Sequence, residues 1–303
     1  MADLLAAKGH RVLAFDHRQH AEAMRHPYPP GTEIVLGDVR DAEAVHEAMS
    51  HADAWIHLAA VLGTQETIRD PRPAAVTNVM GGLNVLEAAA ALNCPGCYIA
   101  VGNHWMNNPY SITKTCIERF CDMYRRERGV RVNVVRGMNA YGPRQRAAPP
   151  FAGGRVRKIM PAFVCRALSG LPVEVYGDGQ QVSDMIWVGD MAAALVAATE
   201  AAMAGTVLSH PIEAGPIEHN TINEVADLVV AAVVALGRSG VPVVHLPMRP
   251  GEQPGARVVA NTGTLAAIRI DPAEFVPLTE GIRLTVEWFA ENENVTWRRP
   301  NGR

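Results

Sequence analysis

Short apolar runs recur along this chain, each followed by a segment of helical length. Glu33-Ile-Val-Leu36, Ala54-Trp-Ile-His-Leu-Ala-Ala60, Tyr98-Ile-Ala-Val101 and Arg131-Val-Asn-Val-Val-Arg136 have the length of strands and carry many β-branched and aromatic residues. Residues 41–49, 73–92 and 110–128 lie between them and read as helices. Parallel strands must be joined by crossovers long enough to hold a helix, and those helices then cover both faces of the sheet. The predicted architecture is α/β, with a doubly wound parallel sheet at its centre.

Around these runs the order is consistent. Residues 2–8 read as the back half of a helix closed by Gly9, and His10-Arg-Val-Leu-Ala-Phe-Asp16 as a buried strand ending in an acid. A helix is expected around 21–24. Beyond Arg144 the texture changes: a Pro/Gly-rich loop at 147–154, a helix at 158–169, the run Val173-Glu-Val-Tyr176, a strand at 186–188 and a helix at 190–200. The predicted division is a first lobe of 1–145 that also receives about 184–210. A smaller C-terminal lobe is built from 146–183 and 211–289, and 290–303 is read as a frayed tail.

The chain has 303 residues, 48% hydrophobic and 19% charged, enough for a sizeable core. Its formal net charge of −3 gives no electrostatic footprint for nucleic acid or an anionic membrane. No apolar run reads as a membrane span and the first residues do not read as a signal peptide, so a cytoplasmic location is expected. Five cysteines, an odd number, do not suggest a disulfide framework. Cys94-Pro95-Gly96-Cys97 matches C-x-x-C but lacks the second pair of a zinc site, and the eleven histidines show no ligand spacing. No metal is expected.

A chain of this class that binds a dinucleotide opens with a strand and a glycine-rich turn, which delivers a helix N-terminus to the pyrophosphate. Here the sequence begins inside that helix. The favoured expectation is a start lying roughly 15–20 residues upstream, because the retained helix is too short to stand without its first turns. The alternative is a chain that lacks them. Asp16, at the end of its strand, has the chemistry to accept hydrogen bonds from ribose hydroxyls and to favour NAD over NADP, although Arg18 nearby blurs that choice.

Tyr110 and Lys114 stand four apart in Asn108-Pro109-Tyr110-Ser-Ile-Thr-Lys114, one turn apart on the same helix face. Pro109 suits the first helical turn. An ammonium beside a phenol favours the phenolate, so the pair is expected to supply a base near neutral pH.

Further motifs follow in order. They are Gly37-Asp38-Val39-Arg40-Asp41, His57-Leu58-Ala59-Ala60, Asp70-Pro71 with Asn78-Val79-Met80-Gly81, and Arg136-Gly-Met-Asn139-Ala-Tyr141-Gly142-Pro143-Arg144-Gln145. Val175-Tyr176-Gly177-Asp178-Gly179-Gln180 and Arg249-Pro250-Gly251-Glu252 complete the set. Together with Tyr110-x-x-x-Lys114 they resemble the extended short-chain dehydrogenase/reductase family, in particular its NAD-dependent nucleotide-sugar epimerases and dehydratases. The resemblance runs from Ala2 to about Phe289 and implies a Rossmann-like fold. It also implies NAD held by Asp16, Asp38, Val39, His57, Leu58, Ala59, Ala60, Asn78, Tyr110 and Lys114. Tyr110 would take a proton from a sugar hydroxyl as hydride passes to the cofactor, and Lys114 would hold the nicotinamide ribose. Asn139, Arg144 and Arg249 would bind the nucleotide-sugar substrate. A homodimer through the helices bearing Tyr110 and 73–92 is implied as well.

The chain departs from that pattern in three places. Where the family carries a Ser or Thr, Val101-Gly102-Asn103-His104-Trp105 leaves Asn103 as the nearest substitute, an amide that donates a hydrogen bond but relays no proton. The Asp-Glu pair of family dehydratases has no counterpart, since His104-Trp105 occupies that place; His104 reads first as a satisfied loop histidine. Ser183 stands where an arginine commonly contacts the phosphates. The missing carboxylate pair argues against the usual 4,6-dehydration and Ser183 leaves the substrate's identity open; the expectation is an epimerase, with a dehydratase using another acid as one alternative. A non-catalytic chain serving as scaffold or partner subunit is the other.

Overall fold

The computed structural model describes residues 1–23, 26–148 and 158–292. In chain order they form α1 (Ala2–Ala7), β1 (Leu13–Asp16), α2 (Arg18–Ala23), β2 (Glu33–Leu36), α3 (Ala42–Ser50), β3 (Trp55–His57) and α4 (Thr64–Arg69). A long helical stretch follows, from α5 (Arg72–Ala74) through a π turn (Ala75–Met80) into α6 (Gly81–Leu92), then β4 (Gly96–Val101), α7 (Pro109–Arg128) and β5 (Val132–Gly137). Next come β6 (Asn139–Tyr141), α8 (Ile159–Leu168), β7 (Val173–Tyr176), β8 (Val182–Ser183), β9 (Met185–Trp187), α9 (Val188–Met203) and β10 (Ile212–Ala214). The chain closes with α10 (Ile222–Ala235), β11 (Val243–Leu246), β12 (Arg257–Val258) and α11 (Leu278–Glu291).

Two compact units emerge. The first is Met1–Gly137, Gly189–Ala214 and Asn261–Asp271; the second is the described part of Met138–Val188, Gly215–Ala260 and Pro272–Arg303. Residues 261–271, expected in the C-terminal lobe, belong to the first unit. Two hydrogen bonds hold them there: Glu213 N donates to Thr264 Oγ1 at 2.8 Å and Asn261 N to Glu213 Oε2 at 2.8 Å. The expected frayed tail lies outside the described residues from 293 onward, as do 149–154 of the Pro/Gly-rich loop.

In the first unit the strands pair in parallel as β10-β5-β4-β3, with β1-β2 as a separate parallel pair. The single sheet read from the sequence is thus in two pieces. The break falls between the β1-β2 pair and β3, the edge strand of the four-stranded sheet. Burial is correspondingly thin on that side. Helix α1 buries no residue, β1 is half-buried throughout, and Ile34 and Leu36 of β2 are exposed.

The core of this unit lies under β3, β4 and β5, where Trp55, Leu86, Tyr98, Ile117, Cys121 and Val132 pack together. Helix α7 docks on it for local and tertiary reasons. Asn108 caps its start, Oδ1 accepting from Ser111 N at 3.0 Å, Pro109 occupies the first turn, and Gly129 ends it with φ 67°. Residues 72–92 have the length of a membrane span, and an 18-residue window within them reaches a mean hydropathy of 1.3, where the sequence reads as holding no such run. Their apolar face packs into this core, with Val85, Leu86, Ala88 and Ala89 buried. The stretch is also not one regular helix. The π turn rotates Asn78 inward, and such bulges cluster at functional sites. Helix α4 goes unread in the sequence because six residues show too little periodicity.

The second unit packs α8, α10 and α11 around Phe163, Val173, Val225, Val229 and Phe289. Its strands form three short parallel pairs, β6-β9, β7-β11 and β8-β12. Thr221 and Glu224 close a capping box at the start of α10.

The approach of α6 to α7 depends on Gly82, where a Cβ would stand 2.7 Å from Ile117 Cγ1. Gly82→Val is therefore expected to cost about 1–3 kcal/mol by overpacking, measured as a lower denaturant midpoint; an unchanged midpoint would show that the helices separate freely.

Candidate active site

The carboxyl ends of β3 and β4 and the first turns of α7 bring the predicted chemistry together. Lys114 is 2% exposed, with its Nζ 4.2 Å from the centroid of the Tyr98 ring. Tyr98 Oη in turn donates to Lys114 O at 3.1 Å, and His57 stacks on the Tyr98 ring at 5.8 Å. Burial dominates the electrostatics. It pushes Lys114 down to about 7, and it pushes His57 down to about 3 with help from the Lys114 charge. Tyr110, half-buried, is pushed up to about 12 by loss of solvent. The expectation that Lys114 makes Tyr110 a phenolate near neutral pH is thus reversed in this state. Loss of solvent is the leading cause in both groups, and Tyr110 is a phenol at pH 7.

Asn78 holds the two sides of this site in register. Its Oδ1 accepts from Val61 N at 2.7 Å, and its Nδ2 donates to Val61 O at 3.1 Å and Thr113 Oγ1 at 3.0 Å. The amide predicted to touch the cofactor is spent instead on fixing the segment after β3 against α7. Three charged residues that the sequence reading did not single out as a group anchor α7 further along. Arg136 on β5 donates to Glu118 Oε1 at 2.6 Å and Oε2 at 3.0 Å, and to Glu213 Oε1 at 3.0 Å. The three are far apart in sequence, so no spacing signal could have found them.

The loop between β4 and α7 is short and compact. Met106 N donates to Asn103 O at 3.0 Å, and the Asn103 amide lies 3.5 Å from Met106 Sδ. His104 donates from Nδ1 to Gly102 O at 3.2 Å, while its own carbonyl accepts from Thr115 Oγ1 at 3.2 Å. Trp105 is 43% exposed. No Asp or Glu occurs from Gly102 to Asn108.

The remaining predicted cofactor residues lie at or just after the carboxyl ends of β1, β2 and β3. The Asp16 carboxylate accepts from His17 N at 2.8 Å and meets His20 Nδ1 at 2.5 Å. Asp38 is gripped by Arg40, whose guanidinium holds its carboxyl below the usual carboxylate range. Val39 packs beside Asn84, whose Nδ2 donates to Val39 O at 2.9 Å. Leu58 and Ala59 are exposed and Ala60 half-buried, an open backbone platform. Two acceptor carboxylates, an open platform and a Tyr-Lys turn form a donor set that fits the adenosine and nicotinamide ends of a dinucleotide.

The predicted substrate residues belong to the second unit. Asn139 donates from Nδ2 to Ser183 Oγ at 2.5 Å, and its N–H donates to Asp184 O at 3.0 Å. Arg249 lies 4.4 Å over the Tyr176 ring and pairs with Glu252. Arg144 is exposed, with φ 64° in the left-handed region. The sequence reading passed over the Asp184–His219 pair. Asp184 Oδ1 meets His219 Nδ1 at 2.8 Å, Oδ2 accepts from Ala260 N at 2.8 Å, and burial raises its carboxyl.

The five cysteines are free, and burial raises the Cys94 thiol to about 11 and that of Cys97 to about 12. Cys94 borders a cleft of about 360 Å³ with Asp53, Asn93 and Arg131. That cleft lies at the amino ends of β3–β5, opposite the Tyr110 end, and gathers no catalytic set.

The lysine gives the site a testable pH signature. Between about pH 7, its folded value, and about 10.4, its unfolded value, the folded state binds fewer protons, so stability rises with pH across that window. Below the window the cost of the buried charge is fully present. Lys114→Met is expected to raise the melting temperature by several degrees at about pH 6.5, with the advantage fading by about pH 10. A pH-independent difference in calorimetry would contradict it.

Comparison with known proteins agrees with this geometry. Over 97% of this chain and 94% of its own length, the UDP-N-acetyl-alpha-D-glucosaminuronate decarboxylase of Bacillus cytotoxicus is 27% identical. The solved UDP-glucose 4-epimerase of Thermus thermophilus, a complex with NAD, is 28% identical with a TM-score of 0.78, covering 95% of this chain and 93% of that one. A dTDP-glucose 4,6-dehydratase from Streptomyces venezuelae with NAD bound shares the fold at 22% identity and a TM-score of 0.78, over 98% and 94% of the two chains. Residues 1–209 match the model of the NAD dependent epimerase/dehydratase family, and with the Tyr110–Lys114 turn set at the carboxyl ends of a parallel sheet, the chain belongs to that family of NAD-dependent enzymes.

Proposed function

We propose that this protein is an NAD-dependent epimerase acting on a nucleotide sugar. One observation carries the reading: Tyr110 and Lys114 stand at the head of α7 behind a loop, Gly102 to Asn108, that holds no carboxylate. Epimerisation by oxidation and re-reduction needs one acid–base group at the reacting hydroxyl and no second acid for a leaving group, whereas elimination of water does. NAD, when bound, accepts and returns a hydride. Tyr110 would bond the sugar hydroxyl and take its proton as the carbon is oxidised. A phenol basic enough to sit near 12 needs help to do so, and the positive nicotinamide ring is the charge that would supply it. Lys114 would hold the nicotinamide ribose. Asp16 and Asp38 would accept from the adenosine end, and the backbone of Leu58, Ala59 and Ala60 would lie along the cofactor. Asn103 would donate to the developing oxyanion. In the second unit, Asn139, Arg144 and Arg249 are the proposed diphosphate contacts.

The Bacillus relative favours a second reading. Oxidation beside a sugar carboxylate leaves a ketone that serves as the electron sink for loss of carbon dioxide, and that step also requires no acid in the loop. The protein would work in the cytoplasm, where its free thiols stay reduced. Ile112, Cys116 and Met123 form a partly exposed stripe on α7, and Val76 and Met80 are exposed ahead of α6. This supports a homodimer through these helices.

The test combines NAD⁺ with UDP-glucose, UDP-N-acetylglucosamine and their uronic acids, following products by mass spectrometry and cofactor reduction by absorbance. An epimer of unchanged mass is expected. Loss of carbon dioxide would select the second reading, and loss of water would select a dehydratase. Tyr110→Phe should slow turnover about 10²- to 10⁴-fold with NAD⁺ affinity little changed; full activity in that variant would overturn the mechanism.

A further inference from the structure

We propose that His104 is a second acid–base residue of this site, exchanging the proton on the sugar carbon next to the one oxidised. The inference rests on the oxidation assigned above to Tyr110 and extends it to a carbon that the Tyr110–Lys114 pair does not serve.

The loop geometry carries it. Gly102 O can only accept, so the 3.2 Å contact fixes the His104 proton on Nδ1. The lone pair of a neutral ring then resides on Nε2, and among the described residues Nε2 has no hydrogen-bond partner. The ring is half-buried, and its backbone is tied to α7 by Thr115 Oγ1, the residue after Lys114. The loop therefore lies back along the turn that bears the catalytic pair. No Asp or Glu stands between Gly102 and Asn108 to do such work, and the other polar side chain near the start of the loop, Asn103, has an amide that cannot take up a proton.

The chemistry balances without a further reagent. Once the hydroxyl has become a ketone, the neighbouring C–H is acidified. Nε2 takes that proton and becomes imidazolium; the C–H electron pair forms the carbon–carbon double bond of the enolate, and the charge moves to the former carbonyl oxygen. Tyr110, carrying the proton it took in the oxidation, donates a hydrogen bond to that oxygen. The high phenol pKa suits Tyr110 to this role as donor. The imidazolium then returns a proton to carbon, and hydride return restores an alcohol. The substrate class is a nucleotide sugar with a hydrogen on the carbon beside the oxidised one.

The experiment incubates the protein and NAD⁺ with UDP-glucose, UDP-N-acetylglucosamine or dTDP-glucose in deuterated water. Transient cofactor reduction is followed by absorbance, and deuterium at the adjacent carbon by NMR. His104→Asn is the variant, since the asparagine Nδ2 can still donate to Gly102 O while the base is gone. The wild type is expected to incorporate deuterium. In His104→Asn incorporation should fall by about 10²-fold or more while transient cofactor reduction stays within a few-fold. Incorporation at the wild-type rate in His104→Asn would overturn the assignment. So would a wild type that reduces the cofactor and incorporates none. Tyr110→Phe should abolish both signals. Cofactor reduction that survives in Tyr110→Phe would instead sink the reading of Tyr110, and no cofactor reduction with any of these sugars would overturn the proposed function together with the His104 step.

Discussion

The burial of one lysine organises the site. Lys114 gives up its water to lie over the Tyr98 ring, and a desolvated ammonium is tolerated only where a strong surrounding structure holds it. That structure is visible. Tyr98 is clamped between His57 on one ring face and the α7 backbone at its hydroxyl, while Asn78 ties the segment after β3 to Thr113. Release of Lys114 would regain solvation but break this chain of contacts, so the buried lysine is held in place. Its consequence is a lysine and a tyrosine whose protonation is set by burial rather than by each other. Under the proposed function, the electrostatics that a bound, positively charged nicotinamide would add would therefore decide when the tyrosine could act as a base.

The ion cluster Glu118–Arg136–Glu213 does for the back of α7 what Asn78 does for its front. Each member is largely buried, so loss of one partner would strand a charge in a poorly solvated place. Because Glu213 also receives Asn261 N, the cluster draws the 261–271 segment into the first unit, against the simpler division by sequence order. The same logic explains why the thinly buried side of the unit is the one around α1, β1 and β2. Strand ladders and apolar faces stabilise one another only when adjacent, and β1 has one ladder where a central strand would have two.

A short turn closed by Met106 N to Asn103 O and by His104 to Gly102 O carries no Asp or Glu between Gly102 and Asn108. It still presents an imidazole and an indole ahead of Tyr110. Reaction type in such a site is decided by which protons can be moved beside the ketone, and that depends on two or three loop side chains rather than on the sheet.

Much of this was legible in the sequence. Strand and helix existence, the parallel sheet, the cap at Asn108 and the one-turn spacing of Tyr110 and Lys114 follow from periodicity and local propensity, which act over a few residues and need no partner. The family and its cofactor were legible for the same reason, because the motifs are local and ordered. Boundaries drifted where tertiary pairing sets them. The strand read as 10–16 pairs only over Leu13–Asp16, since β2 offers no more ladder. The inward turn of Asn78, the Arg136 cluster, the Asp184–His219 pair and the membership of 261–271 belong to contacts between distant segments, which no spacing encodes. The pKa order was decided by tertiary structure alone. From the sequence, Lys114 appears as a charge beside a phenol; in the fold both groups have lost solvent, and desolvation, which grows with burial and not with sequence distance, is the leading cause of both shifts.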